Sequence, residues 1–473
     1  MQKHMDLLSD IRGCMTRFDP LTPDIVEEES PDGLTYEELK TVMQECGMAI
    51  EKVVYDGTRR FQNAFFVDFE LGHYCWIPFQ KANLKAILST ANTVFQNQEM
   101  PPSLRKRRWD SYYMMDVPLP MLIYDFERRY RAIEPDRVFQ VWSSIHARID
   151  YSNGMWSPDV LSYVFSHAPE PDLPEPEPDG TITIYRGMGA KSQSPENALS
   201  WSIDPVCALW FANRSGRGTR LVFAKVKPEE ILAFNPGYRG EQEVILKPGV
   251  CPEIHETDMI PSTEEHVPTL LAPVTKDFFH YGLLALQLGY TEEAPFQAHG
   301  IKHILRVLLL TLIYCHHSGE CLSEEDKQIL IYFSLLHDIG RDSEGEDDTH
   351  GDKSVELIRR KNIRIKGIHL SKKGYRIAKL LIRHHCRGDE IGLGRVTKVP
   401  NLTAKDAERA TKLYLIAKDM DGLDRVRFNG LDFRYLRTHY ARRLPLVAGG
   451  LLEEPLLECV EQYRDGTLEV LNV

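Results

Sequence analysis

The chain has 473 residues, enough for two or three domains that each bury a core of their own. Its 42% hydrophobic and 27% charged residues exclude wholesale disorder and a fibrous architecture, and a net charge of -12 opposes polyanions such as nucleic acid. Nine cysteines without CxxC pairs or framework spacing argue against a disulfide scaffold or zinc knuckle and fit a reducing compartment.

The N-terminus is polar and has no basic start followed by an apolar run, so no secretory signal is read there. The best apolar run, Val307 to Tyr314, is too short to span a bilayer, and no membrane partner is expected. The expected location is cytoplasmic, or a host or competitor cell reached without a cleaved signal peptide.

In chain order, Thr35 to Lys52 reads as a helix capped by Asp32 or Thr35, with Glu38 in capping-box register to Thr35. Asn63 to Pro78 is rich in aromatic and β-branched residues and reads as strands. The basic run Arg105-Lys106-Arg107-Arg108 reads as a solvated helix end in preference to a nucleic-acid contact. From Met121 to His167 apolar residues recur three and four apart, as in helices. Residues 168–180 alternate proline with acid and read as a stiff, solvated connector or long loop. Strand-like runs follow at Thr181 to Tyr185, Arg220 to Val226 and Glu243 to Leu246, separated by Gly, Pro and Asn. From about Lys276 onward helical patterns dominate, including His303 to His316, Glu324 to His337, Gly374 to His385 and Ala404 to Arg427.

Two sets of residues carry chemistry. The first is Tyr185-Arg186-Gly187 at a strand end, Ser200-Trp201-Ser202, a helix with Trp210 and Phe211, and Glu241-Gln242-Glu243. An arginine at a strand edge offers a bidentate fork to a pyrophosphate. A carboxylate beside a ribose stabilises the positive charge that develops as an N-glycosidic bond breaks, and Glu243 fits that role. Glu241, two residues earlier, projects to the same strand face and can activate an acceptor. Trp210 and Phe211 read as core in preference to nicotinamide-stacking residues.

This pattern resembles the arginine–serine–glutamate, cholera-toxin-like clade of mono-ADP-ribosyltransferases over roughly residues 120–260. The resemblance implies NAD as a substrate, with Arg186, Ser200, Ser202, Phe211 and Glu243 at its site. It makes Glu243 catalytic, with Glu241, Ser200 and Arg186 assisting. The family's Ser-Thr-Ser strand is Ser-Trp-Ser here, and the segment from Asn235 to Gly240, with Tyr238 and Arg239, stands where the family recognises its target.

The second set is His299, His303, His337-Asp338, His350, His384-His385 and the run Asp419-Met420-Asp421-Gly422-Leu423-Asp424. Imidazoles and carboxylates from several helices can converge on a divalent metal, which suits phosphoester or phosphoanhydride hydrolysis. The set resembles the HD-domain phosphohydrolase superfamily over roughly residues 290–430. The resemblance implies that His303, His337, Asp338 and Asp421 hold one metal, and that His350 and His384 match the extra histidines of members with two, Asp338 bridging. The metal is Mn, Mg, Fe, Ni or Zn. His299, Lys302, Arg306 and Arg341 are candidates for phosphate or a leaving group, while His316 and His317 read as structural.

The expected architecture is multidomain α+β. Residues 1–115 form an N-terminal α+β region of unknown fold, accessory or recognition in role. Residues 116–275 form a β-rich ADP-ribosyltransferase core with a helical lobe, and 276–473 an all-α HD domain. The function expected is transfer of ADP-ribose from NAD to a macromolecular acceptor, most naturally a protein, with the HD module acting on the product or a nucleotide. In domain content this resembles the effectors of phosphoribosyl-linked ubiquitination. The alternatives are a toxin or anti-phage protein whose HD domain hydrolyses a separate nucleotide, and a nucleotide phosphohydrolase with a non-catalytic transferase-like domain.

Overall fold

The computed structural model describes residues 19–55, 63–68, 73–96, 119–149, 156–189, 192–214, 217–235, 240–290, 297–343, 345, 347–398 and 403–466. The basic run at 105–108, Tyr238 and Arg239 lie outside them. The chain divides into two compact units, residues 1–171 and 172–473, the break falling inside the proline and acid connector.

The first unit begins with β1 (Asp19–Pro20), α1 (Pro23–Glu29), α2 (Tyr36–Glu45), β2 (Val53–Tyr55), β3 (Ala64–Asp68), β4 (His73–Trp76) and α3 (Lys81–Gln96). The four strands form an antiparallel sheet in sequence order. Val26, Leu39, Met43, Phe66 and Leu88 share its core. Thr35 caps α2 as expected, its backbone N–H donating to Glu38 Oε2 at 2.9 Å while its hydroxyl accepts from the Glu38 N–H at 3.3 Å. The helix expected to reach Lys52 stops at Glu45 because Gly47 takes a left-handed φ of +73°.

The apolar pattern of 121–167 forms α4 (Leu119–Arg129), α5 (Val138–His146) and α6 (Pro158–Phe165). Trp142, fully buried, stacks on His146 at 4.6 Å, and Trp156 Nε1 donates to His146 Nδ1 at 3.1 Å, so this histidine is a satisfied core group.

The second unit opens with β5 (Ile182–Gly189), β6 (Ser200–Ser202), α7 (Pro205–Asn213), β7 (Gly218–Val226), β8 (Ile231–Asn235), β9 (Glu243–Leu246) and β10 (His255–Glu256). They build a six-stranded antiparallel sheet in the order β10-β7-β5-β6-β9-β8. The connector is exposed at its end, as expected, but is fastened there. Glu177 accepts from the Thr183 hydroxyl and from Lys225 Nζ at 2.9 Å, which fastens the last turn to β5 and β7.

The β5 strand does not end at Gly187 as expected; it continues to Gly189, and Arg186 faces Val222 of β7 in mid-strand. Gly187 permits this by letting α7 cross the strand at close range. A Cβ there would lie 1.8 Å from the Ala208 carbonyl oxygen.

The helical part comprises α8 (His266–Leu271), α9 (Thr275–Leu286), α10 (Ile301–His317), α11 (Glu324–Leu336), α12 (His350–Lys361), α13 (Lys372–His384), α14 (Asp389–Thr397), α15 (Ala404–Leu423), α16 (His439–Arg442), α17 (Pro445–Gly450) and α18 (Leu456–Arg464). Capping boxes start α11 (Ser323 with Asp326) and α15 (Thr403 with Asp406). Most of α10 is buried, from Ile301 to Tyr314, which makes it the central helix. The helix α7 joins the helical core, since its Ala208, Leu209 and Ala212 pack in the same cluster as Leu305, Leu446 and Val447, while the sheet keeps a cluster of its own with Ile184, Trp201, Val222 and Val244. Asn213 Nδ2 donates to the Pro445 carbonyl at 3.3 Å across that junction. No described helix is long and apolar enough to cross a membrane.

Candidate metal centre

Five helix ends converge in the helical part. His303 lies in the first turn of α10, His337 caps the end of α11 and is followed by Asp338, and His350 starts α12. His385 caps the end of α13, and Asp421 sits in the last turn of α15. Two glycines allow the approach. A Cβ on Gly340 would lie 2.3 Å from Ser354 N, and one on Gly351 would lie 2.4 Å from the Ile382 carbonyl oxygen, so α12 can press against the ends of α11 and α13. Ser354 locks the first contact, its hydroxyl donating to the His337 carbonyl at 2.7 Å and accepting from Gly340 N at 2.9 Å.

The donor atoms form two adjoining groups. In one, His303 Nε2 and His337 Nε2 are 3.1 Å apart, and Asp421 Oδ1 lies 3.5 and 3.6 Å from them. In the other, His350 Nε2 and His385 Nε2 are 2.9 Å apart. Asp338 spans both. Its Oδ2 is 3.6 Å from His303 Nε2 and 3.8 Å from His337 Nε2, while its Oδ1 is 3.2 Å from His350 Nε2 and 3.5 Å from His385 Nε2.

The tautomers decide what these groups fit. His337 Nδ1 donates to the Ser334 carbonyl at 3.2 Å and His385 Nδ1 to the Ile382 carbonyl at 2.7 Å. His350 Nδ1 meets the Asp347 carbonyl, and His303 Nδ1 donates to Asp424 Oδ2 at 2.7 Å. With the proton on Nδ1, every Nε2 presents a lone pair to another lone pair or to a carboxylate. Asp338 Oδ1 is buried and makes no hydrogen bond among the described residues. Facing lone pairs and an orphaned carboxylate oxygen repel one another unless a cation stands between them, so these residues fit a divalent metal.

Burial, with the charge of Arg427, pushes His303 down to about 4, and burial also lowers His385. For His337 burial acts downward, but Asp338 and Asp421 outweigh it and the net shift is upward. Asp338 is held well below the usual carboxylate range, because the imidazoles, led by His337, overcome its burial.

A consequence can be measured in metal-free protein. His303 is neutral when folded but takes up a proton in the unfolded chain below its ordinary 6.5, so its contribution is present above that pH and is lost as pH falls toward about 4. Between pH 7.5 and pH 5 the expected loss is about 2 kcal/mol for this group alone. His385 acts in the same sense and His337 in the opposite one. Urea unfolding in chelator at pH 7.5 and pH 5, compared between the parent protein and His303→Gln, isolates this group, and a drop in the parent no larger than in the variant contradicts a neutral buried His303.

The structure alters part of the residue set read from sequence. It brings His385 and not His384 to the cluster. Neighbouring helical residues point about 100° apart, and His384 faces away. Its Nδ1 is buried without a hydrogen-bond partner among the described residues, and burial with the charges of Arg383 and Arg387 pushes it down to about 4. Asp424 is the carboxylate behind His303 and also receives Arg306 and Arg427, so Arg306 is not turned toward a substrate. Asp419 is fully buried and accepts from the backbone N–H groups of Arg437 and Thr438. His299 Nδ1 stands 2.9 Å from Asp338 Oδ2, a contact that sequence reasoning had not assigned. Arg341 donates to the Ser343 and Gly345 carbonyls and lies 3.1 Å from His350 Nδ1. His317 Nε2 donates to the Leu270 carbonyl at 3.0 Å, a structural role as expected.

Removing the carboxylate behind His303 while keeping its shape isolates the orienting effect. Asp424→Asn is expected to weaken metal affinity about 10–100-fold. Metal titration followed by calorimetry checks this; an unchanged affinity removes Asp424 from the centre.

The sheet gathers part of the other candidate set on adjacent strands, but Glu241 lies before β9 and Gln242 takes a φ of +50°, so the strand alternation expected to carry Glu241 to the face of Glu243 does not extend to it. Tyr185 of β5 pairs with Ser202 of β6, which pairs with Glu243 of β9. Arg186 donates to the Ser200 carbonyl, and its Nε is buried without a hydrogen-bond partner among the described residues. Burial and the charge of Arg214 lower it to about 10. The Ser202 hydroxyl donates to the Glu241 carbonyl at 2.7 Å, and Asn235 Nδ2 donates to Glu243 Oε2 at 2.9 Å. Phe211 is half-buried with the Arg214 guanidinium 4.9 Å from its ring centre. Trp210, expected in the core, is 36% exposed.

The helical cluster defines a site built for divalent metal. Residues 300–426 match the family model described as the HD domain, and this domain indicates a metal-dependent hydrolase. The match does not reach the strands at 182–246. No curated protein and no solved structure matches the chain.

Proposed function

We propose that the helical half is a two-metal phosphohydrolase acting on the phosphate of a nucleotide or of a nucleotidyl product made by the sheet. The observation that supports it most is the pair of adjoining imidazole groups sharing Asp338. When bound there, divalent metal would polarise a phosphoryl oxygen and make hydroxide available near neutral pH.

The chain's own residues do the rest. His303, His337, His350 and His385 offer Nε2 because their Nδ1 atoms are held. Asp338 places one oxygen at each position, and His299 orients it from the rim. Asp421, 30% exposed, marks the side open to substrate. Phe428 is 51% exposed beside His299 and is backed by Arg427 at 4.2 Å, which favours a substrate carrying a base over a bare phosphate. Hydrolysis of a panel of nucleotides and a chromogenic phosphodiester tests this reading. Metal-dependent turnover of nucleotides is expected, and metal-independent or absent turnover across the panel would sink it.

The second reading is that the sheet transfers ADP-ribose from NAD to a protein acceptor. The juxtaposition of Arg186, Ser202 and Glu243 on β5, β6 and β9, with the Glu241 carbonyl bonded to Ser202 just before β9, favours it. Arg186 would hold pyrophosphate and Glu243 the ribose, with Ser200 and Ser202 fixing the strand between them. Mass analysis of a lysate incubated with the protein and NAD tests it, and the absence of any adduct would remove it.

A further inference from the structure

We propose that Cys386 supplies a sulfur ligand to the cation position formed by His350 and His385, so that this position selects a thiophilic ion such as zinc or cobalt over magnesium. The inference rests on the metal-centre reading above and assigns a residue outside it.

The packing of two helix ends makes the group. Because Gly351 lacks a side chain, the start of α12 lies against the last turn of α13; a Cβ would meet the Ile382 and Arg383 carbonyl oxygens at 2.4 and 2.6 Å. That contact sets His350 beside both His385 and the next residue. A ring nitrogen of His350, a ring nitrogen of His385 and Cys386 Sγ all lie within 4.8 Å of one another. Ligands of one tetrahedral ion with bonds of roughly 2.0–2.3 Å have separations of about 3.3–3.8 Å, so a small side-chain adjustment closes the set.

A second, independent observation concerns the same two imidazoles. Asp338 is only 5% exposed, and its Oδ1 makes no hydrogen bond among the described residues while facing His350 Nε2 at 3.2 Å and His385 Nε2 at 3.5 Å. Two imidazoles and the sulfur supply three donors, and Asp338 Oδ1 faces the same two rings. The neighbouring position of His303, His337 and Asp421 has nitrogen and oxygen donors only. Softness therefore differs between the two: thiolate favours zinc-like ions, whereas carboxylate and water suit magnesium. The Cys386 thiol donates to the Asp348 carbonyl at 3.1 Å in the metal-free arrangement. On binding an ion the thiol gives its proton to solvent, the sulfur turns from that carbonyl to the metal, and the carbonyl takes a water.

The test is cobalt(II) binding to the full chain, followed by absorption and by metal content. Two ions per chain are expected, with a near-ultraviolet thiolate-to-cobalt charge-transfer band that excess magnesium does not abolish. In Cys386→Ala the band should vanish and the second ion should bind at least about tenfold more weakly, while His303→Ala should keep the band. Thermal unfolding of metal-free Cys386→Ala, expected to match the parent, guards against misfolding as the cause. Two bound ions without the band, or a band that survives in Cys386→Ala, overturn the sulfur ligand and leave the metal centre standing. No bound cobalt in the parent protein overturns both.

Discussion

Asp338→Ala is expected to abolish metal-dependent hydrolysis, lowering the rate by about 10³-fold or more, because a bound metal contributes several kcal/mol to phosphoryl transfer. Among the described residues Asp338 is the carboxylate that faces both imidazole pairs, with Oδ2 toward His303 and His337 and Oδ1 toward His350 and His385. Losing it takes a ligand from both positions at once, so metal content should fall along with turnover. Asp419→Asn provides the contrast. That carboxylate is as buried, but it serves the backbone N–H groups of Arg437 and Thr438 and the Arg437 guanidinium. It should cost stability on the order of 3–5 kcal/mol, as for a broken buried ion pair, with metal stoichiometry unchanged in the folded fraction. Metal analysis and hydrolysis assays on the two variants separate the roles. Asp338→Ala protein that keeps both ions and its rate would refute the shared-ligand assignment.

The helical half was largely legible because its chemistry lies at helix ends, where chain order and apolar periodicity both show. His303, His337, Asp338, His350 and Asp421 could be named from their order along apolar helices. The choice between His384 and His385 could not. The two are adjacent, and the α13 face that meets α12 is set by the Gly351 contact, a tertiary feature that leaves no periodic signal. Asp424 was visible only as one of a run of aspartates, since its task depends on which His303 nitrogen faces inward. Cys386 was one of nine scattered cysteines, and composition gives no reason to single it out. In the sheet, Arg186 was read at a strand end because Gly187 looked like punctuation. Its lack of a side chain instead serves the crossing of α7, and the strand runs on. Likewise α7 is apolar on every side because it packs between the sheet and the helices, a sandwiching that periodicity alone cannot distinguish from an ordinary core helix.

On the proposed reading of the sheet as a transferase, Glu243→Gln is expected to lower transfer from NAD about 10²–10³-fold, the scale of losing one group that stabilises charge only in the transition state. The substitution is close to isosteric and leaves the β6 to β9 ladder intact, in which Ser202 pairs with Glu243. Asn235 Nδ2, now 2.9 Å from Glu243 Oε2, can still donate to the amide oxygen, so folding should be preserved. On that reading, what the variant would lose is negative charge beside the ribose as nicotinamide departs. Arg186 makes a different prediction: its side chain is anchored to the Ser200 carbonyl and packed into the sheet, so Arg186→Lys should mainly raise the NAD requirement, since lysine cannot reproduce a two-pronged contact with pyrophosphate. Adduct masses in a lysate incubated with NAD provide the readout, with chelator present to silence the helical centre. If chelator leaves full ADP-ribose adducts that shrink or disappear when metal is restored, and Asp338→Ala protein accumulates them regardless, the two halves act on one product. Labelling that persists at parental level in Glu243→Gln removes that residue from the chemistry.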